Sequence, residues 1–365
     1  MDSRRDLIQA FRAGDERALA RAISVVEDQA QGFEELLEAL REGVGTARRI
    51  GVTGPPGAGK STLTAELARL MRDAGRRVAI IAVDPTSPYT GGALLGDRIR
   101  MVELALEEHI FIRSMASRGS LGGLATATSE AADLMDAFGF DRVILETLGV
   151  GQSELEIAGT ADSTVVVLVP ESGDGVQAMK AGLMEVADVF CVNKADRPGA
   201  DRLVKEIEVM KAIRSGNTLR GIPRHHARIG LGGAPAVVQR ASADAEVTTP
   251  QAGDKAADGG WEVPVLKTVA TEAKGVPELA GSLDEHFAWI TESGELERRR
   301  RLALLGQTRR ILVRRAENAA LEAWEEGKEE FLPDLLAGRI TPYRVARRLG
   351  ELAGTAKRPQ RYDVR

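Results

Sequence analysis

The sequence holds a single cysteine, Cys191, among 365 residues. An internal disulfide needs two and a cysteine-built metal site needs more, so both are excluded. Cys191 sits in an apolar, β-branched stretch and reads as a buried structural thiol. Histidine is scarce as well, with four in all. The adjacent pair His225 and His226 has no Cys or carboxylate framework nearby and reads as incidental. Lysine is outnumbered by arginine, 10 to 39, which says more about a GC-rich genome than about function. Positive charge is not in excess: the formal net charge is −5, which does not indicate a general affinity for nucleic acid or acidic membrane surfaces. Long apolar runs are missing, and none approaches the ~18–20 residues of a membrane helix. Met1 to Gly14 is polar and charged, without the apolar centre of a signal peptide. The expectation is a cytoplasmic chain with neither a nucleic-acid nor a membrane partner.

What is present suits a globular core with room for more than one unit: 43% hydrophobic and 28% charged residues. Leu7 to Leu40 reads as helical, because Leu7, Ile8, Phe11, Leu19, Ile23 and Val26 recur at three- and four-residue steps. Gly14 breaks the first run and Asp15 is placed to cap the next. Short β-branched runs follow at Arg49–Thr53, Val78–Val83, Val143–Glu146, Thr164–Val169, Val189–Val192 and Val263–Thr268. Helical segments such as Ser61–Ala74 and Ala178–Ala187 separate most of them. Apolar strands without alternation, spaced by helices, predict an α/β fold with a mainly parallel sheet covered on both faces.

A Gly-, Pro-, Ala- and Ser-rich stretch from about 215 to 260 breaks the pattern and reads as a flexible insertion. From Glu295 the chain turns helical again, with Gly327 and Pro333 as punctuation and a last helix over Pro342–Ala353. The basic run Arg298–Arg301 reads as a solvated face. The division predicted is a helical extension over 1–46, a nucleotide-binding domain over 47–292, and a helical arm over 293–365.

Gly54-Pro55-Pro56-Gly57-Ala58-Gly59-Lys60-Ser61 matches the phosphate-loop pattern G-x-x-x-x-G-K-S/T, between a predicted strand and a predicted helix. Glycines let the backbone N–H groups turn toward phosphate oxygens, and the helix adds its positive end. Lys60 is placed to reach the β- and γ-phosphates, with Ser61 as a Mg²⁺ ligand and Thr62 beside it. Asn193-Lys194-Ala195-Asp196 has the form N-K-x-D, the guanine-reading loop of GTPases. A carboxylate at Asp196 accepts from guanine N1–H and the 2-amino group together, whereas adenine would leave it unpaired. Asn193 is expected to tie this loop to the phosphate loop, and the stem of Lys194 to cover the base. Val269-Ala270-Thr271 follows the next strand and is placed on the ribose side, through backbone contacts.

Glu146-Thr147-Leu148-Gly149 resembles D-x-x-G with glutamate first. The carboxylate would hold Mg²⁺ and the Gly149 N–H would sense the γ-phosphate. Val150 stands where Ras-type GTPases carry the water-orienting glutamine, and Gln152 is offset, so unassisted hydrolysis should be slow. Asp84 and Asp97 are further acidic groups on that side of the sheet. They are candidate metal ligands or bases for water, or helix caps.

These motifs resemble the MeaB/MMAA family of P-loop GTPases. They are the phosphate loop, Val83-Asp84-Pro85-Thr86-Ser87, Gly96-Asp97-Arg98 within its glycine-rich stretch, Arg118-Gly119-Ser120-Leu121-Gly122-Gly123 and, especially specific, Glu146 through Glu154. The resemblance implies a homodimeric GTPase that escorts an adenosylcobalamin-dependent acyl-CoA mutase, methylmalonyl-CoA mutase first among them. It implies Mg²⁺ with GTP or GDP, and a nucleotide state that gates cofactor loading and the release of damaged cofactor. It also implies that the C-terminal arm supports the dimer, and that Asp174, Gln177 and Lys180 relay the switch. No D-x-H-x-x-G cobalamin segment occurs, so any contact with that cofactor is made through the mutase. Competing readings are a metallochaperone GTPase, a kinase, and a non-hydrolysing nucleotide-gated scaffold.

Overall fold

In the computed structural model of the chain, residues 4–84, 104, 106–116, 121–147, 159–170, 182–214, 260–352 and 354 are described. His225, His226 and nearly all of the 215–260 stretch lie outside them.

The N-terminal helices form where the periodicity places them: α1 Arg4–Arg12, α2 Glu16–Glu27 and α3 Phe33–Ala39. Gly14 turns the chain at φ 83°. Asp15 then caps α2, its side chain accepting from Arg17 N at 2.9 Å. Leu7, Phe11, Leu19 and Ile23 are buried against the sheet and a later helix.

Among the described residues, seven strands make one wholly parallel sheet in the order β3-β2-β4-β1-β5-β6-β7. They are β1 Arg48–Thr53, β2 Val78–Asp84, β3 Ile110–Ala116, β4 Arg142–Thr147, β5 Ser163–Leu168, β6 Val189–Val192 and β7 Val265–Lys267. Six match the expected runs within two residues at each end, and β3 is additional. It lies at the sheet edge, and Arg113 interrupts its apolar pattern to pair with Glu27 of α2 at 2.5 Å.

On one face, α4 Lys60–Asp73 and α7 Val276–Glu292 bury Ile50, Val52, Ile80, Ile144, Val165 and Val167. On the other, α1, α2 and α5 Leu121–Ala137 cover Ile81, Val83, Val143 and Leu145. Farther along that second face, α6 Ala200–Arg214 packs Leu203 and Ile207 on Val166, Leu168 and Phe190. Helices on both faces explain why the strands read as unbroken apolar runs. Of the expected helix Ala178–Ala187, the described residues hold a turn at Met184–Val186.

The arm differs from expectation in two ways. Its helix α8, Glu295–Leu336, runs for 42 residues straight through Gly327 and Pro333. Gly327 is a contact point instead of a break: a Cβ there would lie 2.8 Å from Leu349 Cδ2, on α9 Pro342–Leu352. Pro333 falls in the last turn, where the missing N–H forfeits a single helical bond. The basic run is also only partly solvated. Arg299 donates Nη1 to Asp188 Oδ2 and Nη2 to Asp188 Oδ1, both at 2.9 Å. Arg300 grips Asp162 through Nε at 2.9 Å and Nη2 at 2.8 Å. Both acceptors are buried, just ahead of β6 and β5 respectively, so the arm is bolted to the N-terminal end of the sheet.

Candidate nucleotide-binding site

The opposite, C-terminal ends of β1, β4, β6 and β7 carry the site. From Thr53 the chain enters the phosphate loop, and Lys60 opens α4. Gly54 lies at φ 140°, and no side chain fits there: a Cβ would stand 2.0 Å from Val167 O. Lys60 is buried and donates from Nζ to Gly54 O and Pro55 O, each at 2.9 Å, which holds the two ends of the loop together.

Ser61 Oγ donates to Glu146 Oε1 at 2.5 Å. The hydroxyl on α4 and the carboxylate near the end of β4 therefore meet, as both motifs require. One residue farther along β4, Thr147 Oγ1 donates to Thr53 Oγ1 at the end of β1, at 3.0 Å. A serine oxygen beside a carboxylate is the hard oxygen set that suits Mg²⁺.

Asn193 is the joint of the site. It is buried just past β6, and Nδ2 donates to Ala58 O in the phosphate loop at 2.9 Å. Its Oδ1 accepts from Thr268 Oγ1 and from Ala270 N, both at 3.1 Å. One side chain thus ties three loops together, and its amide orientation is fixed because donor and acceptors differ on the two sides. Gly59 sits against it, and a Cβ at that φ 85° position would meet Asn193 Nδ2 at 2.4 Å. Lys194 takes a left-handed φ of 56° and donates from Nζ to Gly57 O at 2.8 Å, which lays its stem along the loop. Asp196 is exposed beyond it, open to a ligand. The Val269-Ala270-Thr271 segment meets the N-K-x-D loop through the Ala270 N–H, which donates to Asn193 Oδ1. Beneath the joint, Cys191 is fully buried against Thr268 Oγ1 at 3.1 Å, and burial pushes its thiol up to about 12.

The structure therefore brings together Gly54 through Thr62, Glu146, Asn193, Lys194, Asp196 and Ala270 on one rim. Asp84 ends β2 on the same side of the sheet, and only its backbone is described. Asp97, Gly149, Asp174, Gln177 and Lys180 lie outside the described residues. Thr268 was not among the expected site residues. A threonine as the last residue before the ribose-side loop, facing the N-K-x-D asparagine, is the signal that marks it.

Comparison with known proteins agrees with this geometry. The family described as methylmalonyl Co-A mutase-associated GTPase MeaB matches residues 19–325. A protein of Pyrococcus abyssi named as a GTPase is 40% identical over 342 residues, covering 93% of this chain and 94% of its own length. The mouse methylmalonic aciduria type A homolog is 38% identical over 197 residues, 50% of this chain and 48% of its own length. A crystal structure titled LAO/AO transport system kinase superposes with a TM-score of 0.62 at 26% identity, covering 96% of this chain and 98% of that one. With its phosphate loop, its N-K-x-D joint and this match across most of its length, the chain is a GTP hydrolase and belongs to the MeaB family of GTPases.

Proposed function

We propose that this GTPase is a chaperone for an adenosylcobalamin-dependent acyl-CoA mutase, methylmalonyl-CoA mutase foremost. The base-reading half of the proposal rests on Asn193, which joins the phosphate loop to the loops flanking Asp196. The partner half rests on the family, which is named for association with that mutase. Lys60 and the loop amides hold the phosphates, Asp196 reads guanine, and Val269, Ala270 and Thr271 border the ribose. Ser61 and Glu146 are the residues that would hold Mg²⁺, with Asp84 and Asp97 as further acidic candidates. The cation would supply charge neutralisation at the β- and γ-phosphates.

Gly149 is assigned to γ-phosphate sensing, and Asp174, Gln177 and Lys180 to relaying the nucleotide state. That state acts on the mutase only through a difference in affinity between the GTP and GDP forms. Leucines along α8, including Leu305 at 58% exposed and Leu312 at 62%, suit the covered face of a homodimer. Among the described residues no helix is long and apolar enough to cross a membrane.

The test is GTP hydrolysis by the purified chain, alone and with methylmalonyl-CoA mutase, with ATP as control. Slow GTP-selective turnover that the mutase accelerates supports the proposal. Turnover indifferent to the mutase overturns the partner. Asp196→Asn should lose at least tenfold in GTP affinity, and equal GTP binding by that variant overturns the base-reading assignment.

A further inference from the structure

The two strands that feed the phosphate loop and the E-x-x-G motif are tied at their ends by side chains. Backbone pairing of β1 with β4 runs from Arg48 and Arg142 to Val52 and Glu146. One residue farther, each strand still pairs with its outer neighbour, Thr53 with Val166 of β5 and Thr147 with Val83 of β2. Between β1 and β4 themselves a hydroxyl bond takes over at that level, from Thr147 Oγ1 to Thr53 Oγ1. Both threonines are buried. Thr53 immediately precedes Gly54 of the phosphate loop, and Thr147 immediately follows Glu146. Val83, which pairs with Thr147, immediately precedes Asp84.

Successive side chains of a strand point to opposite faces. Glu146 lies with Ile144 on the α4 face, where Ser61 Oγ reaches it at 2.5 Å. Thr147 lies with Val143 and Leu145 on the face that α5 covers. The end of β4 is thus held from both sides, by Ser61 on one face and by Thr53 on the other. Ser61 and Glu146 are the pair assigned to the cation, so their mutual contact must adapt when it arrives. The threonine pair lies on the opposite face and keeps its bond. Without that bond the end of β4 can turn about its own axis, and the Glu146 carboxylate turns with it. Packing alone does not require these hydroxyls, because valine has the same shape and suits a buried strand.

We propose that the Thr53–Thr147 bond is a positioning element of the GTPase, which fixes the Glu146 carboxylate relative to the phosphate loop. Both hydroxyls act through Glu146, and the inference rests on the assignment of Glu146 to Mg²⁺ made above.

The experiment compares the parent with the double variant Thr53→Val/Thr147→Val. Replacing both partners by apolar groups of the same shape leaves no hydroxyl unpaired, so the urea midpoint should stay close to the parent's. Binding of a fluorescent non-hydrolysable GTP analogue without Mg²⁺ should change less than about twofold, while the gain in affinity on adding Mg²⁺ shrinks about fivefold and kcat falls by a similar factor. Thr147→Ser keeps the hydroxyl and should restore both. A double variant with parental kcat and parental Mg²⁺ response overturns the inference, as does one that loses stability and Mg²⁺-free binding together, which marks a purely structural bond. Glu146→Gln separates the two readings. An unchanged Mg²⁺ response in that variant overturns the cation assignment and the inference with it, whereas an impaired Glu146→Gln beside an unimpaired double variant overturns the threonine bond alone.

Discussion

Glu130 makes the stability of this protein depend on pH in a direction that most carboxylates do not. A carboxyl that ordinarily titrates at 4.5 is held up to about 7 in the fold, chiefly because burial disfavours its charge. The folded state therefore binds this proton more tightly than the unfolded chain does. Below pH 4.5 both states are protonated and nothing is lost. As pH rises from 4.5 to 7 the unfolded chain ionises first, and stability falls. Above 7 the full cost is present, about 3 kcal/mol at ~1.4 kcal/mol per tenfold in proton affinity. Glu130→Gln is close to a permanently neutral form of the same shape. Between pH 5 and pH 8 the parent should therefore lose about 2 kcal/mol relative to the variant. Other titrating groups are common to both proteins and cancel in the difference. Urea unfolding of each at pH 5, 6, 7 and 8 reads this out. Parallel stability curves across that range would refute the reasoning, as would a variant that weakens faster than the parent on raising pH.

Asp188→Ala removes the acceptor of Arg299 Nη2, one of the two acceptors of Arg299 Nη1, and the acceptor of the buried Thr164 N–H. A buried donor left unpaired costs about 1–3 kcal/mol, so urea midpoints should drop and limited proteolysis should release the arm first. Gly59→Ala should fold but bind GTP at least tenfold more weakly in a fluorescent-nucleotide titration, because the new methyl meets Asn193 Nδ2 at 2.4 Å and φ 85° disfavours alanine. Cys191 should resist thiol reagents in the folded protein and react at the global unfolding rate, since it is fully buried and its thiol is held at about 12.

How far the sequence reveals this architecture depends on whether a signal is local. The strands of the sheet centre are legible because burial on both faces makes them continuous apolar runs, as in Val165 to Leu168. The phosphate and N-K-x-D loops are legible because the chemistry is carried by adjacent residues. β3 is obscured by Arg113, whose partner Glu27 lies 86 residues earlier. Arg299 and Arg300 look like surface charge because their acceptors, Asp188 and Asp162, are more than 100 residues away. Gly327 looks like a helix break because the helix that needs its missing side chain comes later in the chain. Thr268 escapes notice for the same reason: its role appears only once Asn193 is folded against it.

The position of Asn193 also bears on synthesis. Its amide reaches back 135 residues to Ala58 and forward 75 residues to Thr268. A ribosome emits the phosphate loop early, but the joint that holds it to the base-reading and ribose-side loops is complete only when Thr268 and Ala270 have left the exit tunnel. Until then the nascent chain carries a recognisable nucleotide motif without a complete pocket to go with it. A fragment ending before Val265 should inherit the motif and not the binding. A fluorescent-nucleotide titration of that fragment, expected to bind at least tenfold more weakly than the full chain, checks this.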